Sequence, residues 1–341
     1  LKKIISVLCV MLLLASSVAY WLFSDYKAYL DKPLQLTDDL ILEVNKGLSF
    51  NGVVEKLKAN GVEINVLYFK FYAREAGLAS KIKAGEYRIK QETTPKQLMA
   101  AITSGRSISY NFTIVEGSNY KQLLTAIKAN PYLKNDIEKL SINELLSAIN
   151  TEHKHLEGLF LAETYSFDKN SSALALLKRA HKLMLTKLNE EWAKRDQRLP
   201  YKKPYEALIM ASIVEKETAR ADERPVIAGV FVRRLNKRMR LQTDPTVIYG
   251  MGDAYKGNIR RSDLRKPTPY NTYTIPALPP TPIAMVGPEA ITAALNPKSG
   301  KALYFVAKGD GSHYFSATLA EHNKAVRQYQ LSRRKDYRSS P

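Results

Sequence analysis

Leu241-Gln242-Thr243-Asp244-Pro245-Thr246-Val247-Ile248-Tyr249-Gly250 is the stretch on which the reading of this chain turns. Amide, hydroxyl and carboxylate side chains crowd its first half, and Pro245 stiffens the backbone among them. Amides and hydroxyls match the hydrogen bonds of sugar hydroxyls, and a ring such as Tyr249 can stack on the apolar face of a pyranose. Two neighbouring segments carry the same chemistry: Tyr270-Asn271-Thr272-Tyr273 and Leu278-Pro279-Pro280-Thr281-Pro282-Ile283. The chain from Leu241 to Pro288 shows little periodicity, and so long an irregular stretch inside a compact domain reads as functional. Each segment alone has a plain structural reading, with Asn271-Thr272 as a helix cap and the prolines as a wall. Together they resemble a carbohydrate cleft.

Upstream lies an apolar helix that carries two acids, Met210-Ala211-Ser212-Ile213-Val214-Glu215-Lys216-Glu217-Thr218. A carboxyl in apolar surroundings has its pKa pushed up because the charged form loses solvation, which suits general-acid work near neutral pH. Two residues on a helix are about 200° apart, so Glu215 and Glu217 cannot share one site. Glu217 falls on the face of Met210, Ile213 and Val214; Glu215 falls with Leu208, Ala211 and Ser212. Helical geometry favours Glu217 only slightly. The competing reading for either acid is a buried salt bridge, for instance to Arg220, Arg233 or Arg234. A further candidate is Glu163, in Glu157-Gly158-Leu159-Phe160-Leu161-Ala162-Glu163-Thr164-Tyr165. It reads equally well as a second acidic site residue and as a strand-end carboxylate held by backbone donors.

The N-terminus sets the compartment. Lys2 and Lys3 precede a run from Ile4 to Phe23 without a charge. Twenty helical residues span about 30 Å, the thickness of a bilayer core. Tyr20 and Trp21 stand where interfacial aromatics belong, and the lysines place the N-terminus in the cytoplasm. The expectation is a single-pass anchor through residues 4–23 with everything later outside. The alternative is a cleaved signal peptide, for which Ser17-Val18-Ala19 resembles a cleavage site.

The 341 residues carry 52 Lys+Arg against 33 Asp+Glu, a net charge of +19. With 45% hydrophobic and 25% charged residues the composition is that of a globular protein of about two domains. The charge suits an anionic partner, and an exported domain makes nucleic acid a poor one. A single Cys excludes a disulfide framework and a thiolate cluster. Five scattered His, including His153-x-His155, predict no metal site. No Walker loop, Rossmann fingerprint or HExxH occurs, and no cofactor is expected.

The expected organisation is α+β. Residues 1–23 form the anchor and 24–38, with Pro33, a linker. Residues 39–130 form a small α+β region and 131–330 a larger mixed α+β catalytic domain, with 131–155 as a polar connector. Residues 331–341 are a basic tail. Within the small region, Leu42-Glu43-Val44-Asn45-Lys46-Gly47 is echoed by Phe112-Thr113-Ile114-Val115-Glu116-Gly117, each ahead of a helix. Strand, glycine turn and helix is the opening of a LysM-like unit, a glycan-binding module. The plain reading is a repeated strand–turn–helix without ligand. In the second half, residues 173–195 read as a surface helix with a solvated basic face, followed by a helix from Pro204, and a hairpin closes around Lys308-Gly309-Asp310-Gly311.

Taken in order, these motifs closely resemble the endolytic murein transglycosylases of the YceG-like family. They are the anchor, the LysM-like region, Glu157-Gly158 with Glu163-Thr164-Tyr165, the acidic helix, residues 241–250, Tyr270-Asn271-Thr272-Tyr273, Leu278-Pro279-Pro280-x-Pro282-Ile283, Asn296-Pro297 and Leu303-Tyr304-Phe305-Val306. The resemblance covers nearly the whole chain, and residues 241–250 are its most specific part. It implies an enzyme of the bacterial inner membrane, facing the periplasm, that cuts the MurNAc–GlcNAc bond inside nascent peptidoglycan and leaves 1,6-anhydro ends, ending strand synthesis beside peptidoglycan synthases. The family's catalytic Glu, the second acid of its Glu-Lys-Glu triplet, falls on Glu217. Substrate-binding residues would be Gln242, Thr243, Asp244, Tyr249, Asn271, Thr272, Tyr273 and Glu163. At Ala162-Glu163 the chain departs from the family, which has Pro followed by Asp. The rival readings are a two-carboxylate muramidase using Glu217 and Asp244, and a non-catalytic glycan-binding scaffold.

Overall fold

The computed structural model describes residues 2–331, so the basic tail expected from 332 onward lies outside the described residues. In chain order the elements are α1 (Lys2–Asp31), β1 (Leu40–Val44), α2 (Phe50–Ala59), α3 (Val66–Glu75), β2 (Gly85–Ile89), α4 (Pro95–Ser104), β3 (Ser109–Thr113), α5 (Tyr120–Ala129), β4 (Leu133–Lys134), α6 (Ile142–Ala148), β5 (Thr164–Asp168), β6 (Ser171–Ser172), α7 (Ala173–Ala193), α8 (Pro204–Glu217), α9 (Arg224–Asn236), α10 (Asp244–Met251), α11 (Arg261–Arg265), α12 (Pro288–Leu295), β7 (Tyr304–Ala307), β8 (His313–Ser316) and α13 (Leu319–Val326). The mixed α+β class is as expected.

The described residues divide into two compact units, one running up to Tyr110 and including 167–170, the other taking 111–166 and the chain from Ser171 onward. The sequence reading set the boundary at 130/131. The earlier division follows from hydrogen bonding: Ile114 N–H donates to Glu163 O at 3.0 Å, Gly117 N–H to Met285 O at 2.9 Å and Met285 N–H to Ser118 O at 2.7 Å. These bonds tie the turn before α5 into the second unit.

In the first unit β1 pairs antiparallel with β2, from Leu40↔Ile89 to Val44↔Gly85. The two strands enclose α2 and α3, giving a β–α–α–β order. Ser49 and Asn65 cap the two helices, and Thr94 with Gln97 forms a capping box at α4, which ends on Gly105 in the left-handed region. The core gathers Leu42, Val44, Val53, Leu57, Phe69, Tyr87, Ile89, Leu98, Met99 and Ile102.

α1 is long and apolar enough to cross a bilayer. It corrects the expected linker, because the helix runs on to Asp31 before Pro33 stops it. Tyr26 and Leu30 lie one turn apart on the same face and are buried, and that spacing sustains the helix through otherwise polar sequence.

The second unit is built round α8. Every residue from Ala207 to Glu215 is buried, with α7, α9, α10 and α12 packed about it. A helix apolar on all sides belongs in the centre of a domain. α7 buries Leu176, Leu177, Ala180, Met184 and Leu188 and leaves its lysines outward, as expected of a surface helix. β7 and β8 form the expected antiparallel hairpin, from Tyr304↔Ser316 to Ala307↔His313.

Two stretches expected to be irregular contain helix. The polar connector of 131–155 holds α6, started by a Ser141–Glu144 capping box and held by buried Leu145 and Leu146. The region 241–288 holds α10 and α11, the former opening with Pro245 in its first turn, where proline is favourable. Average polarity concealed short amphipathic turns in both.

Candidate active site

Glu217 is the last residue of α8, and the chain turns extended at Thr218. That position puts its carboxyl at the rim of the buried helix, half-buried. Burial pushes the carboxyl up to about 7. The Thr243 hydroxyl donates to Glu217 Oε1 and opposes the shift, while the negative charge of Asp244 adds to it. The carboxyl is thus poised to exchange a proton near neutral pH.

Opposite Glu217, two segments are sewn together by threonines. Thr243 N–H donates to Thr272 Oγ1 at 3.1 Å, Thr246 Oγ1 lies 2.9 Å from Thr272 Oγ1, and Gln242 N–H donates to Thr272 O at 3.2 Å. Gln242 adopts φ 55°, an uncommon conformation for a residue with a side chain, and its Oε1 accepts from Arg234 Nη1 at 3.3 Å. Tyr273 Oη donates to Asp244 Oδ1 at 2.6 Å. Burial is the main force raising the Tyr273 phenol, with Asp244 and the charge of Glu217 adding to it.

The expected residues therefore separate. Glu217, Gln242, Thr243, Asp244, Thr272 and Tyr273 form one connected cluster. Gln242 and Asp244 are exposed within it, whereas Thr243 and Thr272 are buried and shape its wall. Asn271 is buried with its amide turned away, donating to the carbonyls of Asp263, Leu264 and Lys266 at 2.8–3.1 Å. Tyr249 donates to Glu157 Oε2 at 3.1 Å and packs against Tyr270. Glu163 stands exposed at the start of β5, its Oε1 accepting from Thr164 N–H at 3.2 Å. The proline-rich segment is tied to α8, because Ile283 N–H donates to Ser212 Oγ at 2.9 Å.

Glu217 also opens on a cleft of about 820 Å³, within the range of ligand pockets. Its floor is a charge cluster that the sequence reading missed, buried at Glu215 and Arg224 and open at Glu116; it brings Glu215 to the same cleft as Glu217, which corrects the expectation that the two acids cannot share a site. Arg224 Nη2 donates to Glu215 Oε1 at 3.0 Å and to Glu116 Oε2 at 3.1 Å, and Gly287 N–H donates to Glu215 Oε2 at 3.0 Å. Burial raises the Glu215 carboxyl, against the opposing pull of Gly287 and Arg224. Glu215 is thus the salt-bridged acid of the pair, but its partner is Arg224 rather than Arg220, Arg233 or Arg234. Two signals were available: Glu116 lies in the echoed motif, and Arg224 opens α9 next to Pro225.

The hairpin forms another side of the cleft. His313 N–H donates to Glu223 Oε1 at 2.9 Å, and its Nδ1 lies 2.6 Å from Glu223 Oε2. The glycines of the hairpin turn, Gly309 and Gly311, line the cleft alongside. Glu157 is a second carboxyl pushed up to about 7 by burial, held by Tyr120 N–H and Tyr249 Oη. In the sequence it stands out only as part of the Glu157-Gly158 motif. Among the described residues no cluster of three or more His, Cys, Asp or Glu could hold a metal ion. His153 stacks on Tyr205, with ring centroids 4.0 Å apart.

Comparison with known proteins places this arrangement in a lineage. A protein of Bacillus subtilis (strain 168) named endolytic murein transglycosylase is 32% identical over 325 residues, covering 89% of each chain. One of the same name from Streptococcus pneumoniae serotype 2 is 25% identical over 84% of this chain and 57% of its own length. The crystal structure of a yceG-like protein from Listeria monocytogenes superposes with a TM-score of 0.52 at 32% identity, covering 84% of this chain and 99% of that one. The YceG-like family model matches residues 42–328, which include the acidic helix, the threonine-sewn segments and the hairpin, and the chain belongs to the YceG-like family.

Proposed function

We propose that this protein is a membrane-anchored endolytic lytic transglycosylase acting on peptidoglycan glycan strands. The observation that carries the reading is Glu217: a half-buried carboxyl raised to about 7 at the edge of a cleft, with Thr243 as its hydrogen-bond donor. The family relation supplies the reaction class.

One carboxyl suffices for this chemistry. Protonated Glu217 donates its proton to the oxygen that links MurNAc C1 to GlcNAc, the C1–O bond breaks, and positive charge gathers on the MurNAc ring. The resulting carboxylate then takes the proton of the C6 hydroxyl of the same sugar as O6 bonds to C1. The products are a 1,6-anhydroMurNAc end and a free GlcNAc hydroxyl, and no water is consumed. Asp244 stabilises the developing positive charge. Gln242 and Tyr273 orient the sugar, and buried Thr243 and Thr272 hold these groups in register.

In this reading α1 anchors the protein in the inner membrane with both units on the periplasmic side. The uncharged run from Ile4 to Phe23, as long as a bilayer core is thick, supports α1 as the anchor. The β–α–α–β arrangement of the first unit supports a LysM-like glycan contact. The enzyme would act beside peptidoglycan synthases and set where new strands end. A muramidase that hydrolyses the same bond is the second reading, favoured by the closeness of Asp244 to Glu217.

Mass spectrometry of products from nascent, uncrosslinked peptidoglycan separates these readings. The wild-type full chain should give anhydro-ended fragments, and Glu217→Gln should give none. Reducing ends in place of anhydro ends would establish the hydrolase. Cleavage by Glu217→Gln would remove Glu217 as the acid, and no fragments from either protein would put the non-catalytic glycan-binding scaffold ahead.

A further inference from the structure

The outward face of α3 has a pattern that the catalytic reading does not use. Leu67, Lys70, Phe71 and Arg74 follow the i, i+3, i+4, i+7 spacing of a single helical stripe, and all four are exposed. Leu67 is 74% exposed and Phe71 55%, although the same helix buries Phe69 and Ala73 completely in the core on its other side. Two large apolar residues interleaved with two cations make an interfacial face rather than a solvated one.

The position of α3 along α1 says what covers that face. Phe71 meets Tyr26 edge-on at 5.2 Å between ring centroids, and Tyr68 meets Tyr26 and Tyr29 at 5.7 Å each. Tyr68 Oη donates to Asp25 Oδ2, and Tyr26 Oη donates to Glu75 Oε2, both at 2.8 Å. The two acids nearest the junction are therefore engaged by phenols, leaving Lys70 and Arg74 outward. Tyr26 is three residues past Phe23, the end of the uncharged run, a rise of about 4.5 Å along the helix. α3 is thus fixed beside α1 just past the end of the uncharged run. Lys27 lies 5.4 Å from the Phe23 ring on the same turn and adds a cation at that level.

We propose that α3 is an interfacial helix. Leu67 and Phe71 insert into the headgroup–acyl boundary of the bilayer that α1 crosses, with Lys70 and Arg74 on anionic headgroups. The first unit would then be held flat on the membrane instead of swinging on a tether. The inference rests on α1 spanning the membrane.

The test uses the full chain with Cys9→Ser, in nanodiscs of phosphatidylethanolamine and phosphatidylglycerol. Single cysteines are introduced by Leu67→Cys, Phe71→Cys, Val10→Cys and Glu55→Cys and given nitroxide labels. The readout is the ratio of oxygen to nickel-chelate accessibility in paramagnetic resonance. Both α3 positions are exposed, so the label loads no core. Ratios at 67 and 71 at least threefold above that at 55, and below that at 10, are expected. Ratios at 67 and 71 equal to that at 55, with position 10 in lipid, overturn the proposal while leaving the anchor intact. A water-accessible position 10 overturns the anchor and the proposal with it.

Discussion

At Glu217 two neighbours pull proton affinity in opposite directions, and this gives the assignment a signed test. The Thr243 hydroxyl donates to the carboxylate and favours the charged form; Asp244 repels it. A general acid must be protonated, so kcat/KM should fall tenfold per pH unit above the carboxyl's value of about 7. Thr243→Val removes the donor, raises the carboxyl further and moves the alkaline limb up by about one pH unit, with a lower maximum. Asp244→Asn removes the like charge and moves the limb down by a similar amount. Profiles of kcat/KM against pH for the three proteins check this, and limbs that move in the same direction would sink the assignment.

At the scale of elements, the Glu215–Arg224–Glu116 cluster joins α8, α9 and the turn before α5 beneath the cleft. A buried ion pair adds little net stability, but removing one partner strands the other in a dry interior. Arg224→Met should therefore destabilise the protein by about 3 kcal/mol, with Glu215 left unpaired. Glu215→Gln, which leaves an exposed-side partner in Glu116, should cost clearly less. Urea unfolding of both variants decides the order, and equal stability for Arg224→Met and wild type would show the cluster to be slack. The elements themselves differed in legibility. α2, α4 and α5 announce their starts through Ser49, Thr94 and Asn119, whose side chains take up free N–H groups locally. α6 and α10 are short, and their stability comes from burial of Leu145, Leu146 and Val247, which only contacts distant in sequence provide.

For the whole molecule, the exposed apolar surface of α1 is the dominant physical fact. Side chains from Ile4 to Phe23 lie bare in the folded chain, a surface far larger than a water-soluble monomer tolerates. The full chain should stay with membranes through alkaline carbonate washing, and a chain lacking residues 2–23 should be released. Release of the full chain would leave α1 without a bilayer role. The net charge of +19 fits the same setting, since anionic headgroups and peptidoglycan stem carboxylates both attract it.

The sequence by itself determined what depends on local chemistry and order along the chain. An uncharged run marks the bilayer-length part of α1, capping residues set the starts of α2, α4 and α5, and the order of acidic and threonine-rich motifs marks the family. Periodicity alone separates Glu215 from Glu217 only slightly, because the helix that carries them is apolar on every face from Ala207 to Val214; in the sequence it is the family resemblance that points to Glu217. Tertiary structure gives the two acids different partners, Arg224 and the Gly287 N–H to Glu215 and the Thr243 hydroxyl to Glu217, and that difference supports the proposed role of Glu217. It also turned the Asn271 amide toward backbone carbonyls and gave Tyr249 to Glu157, away from the cluster around Glu217. Hydrogen-bond partners far apart in sequence are fixed by packing, and packing is decided only when the elements meet.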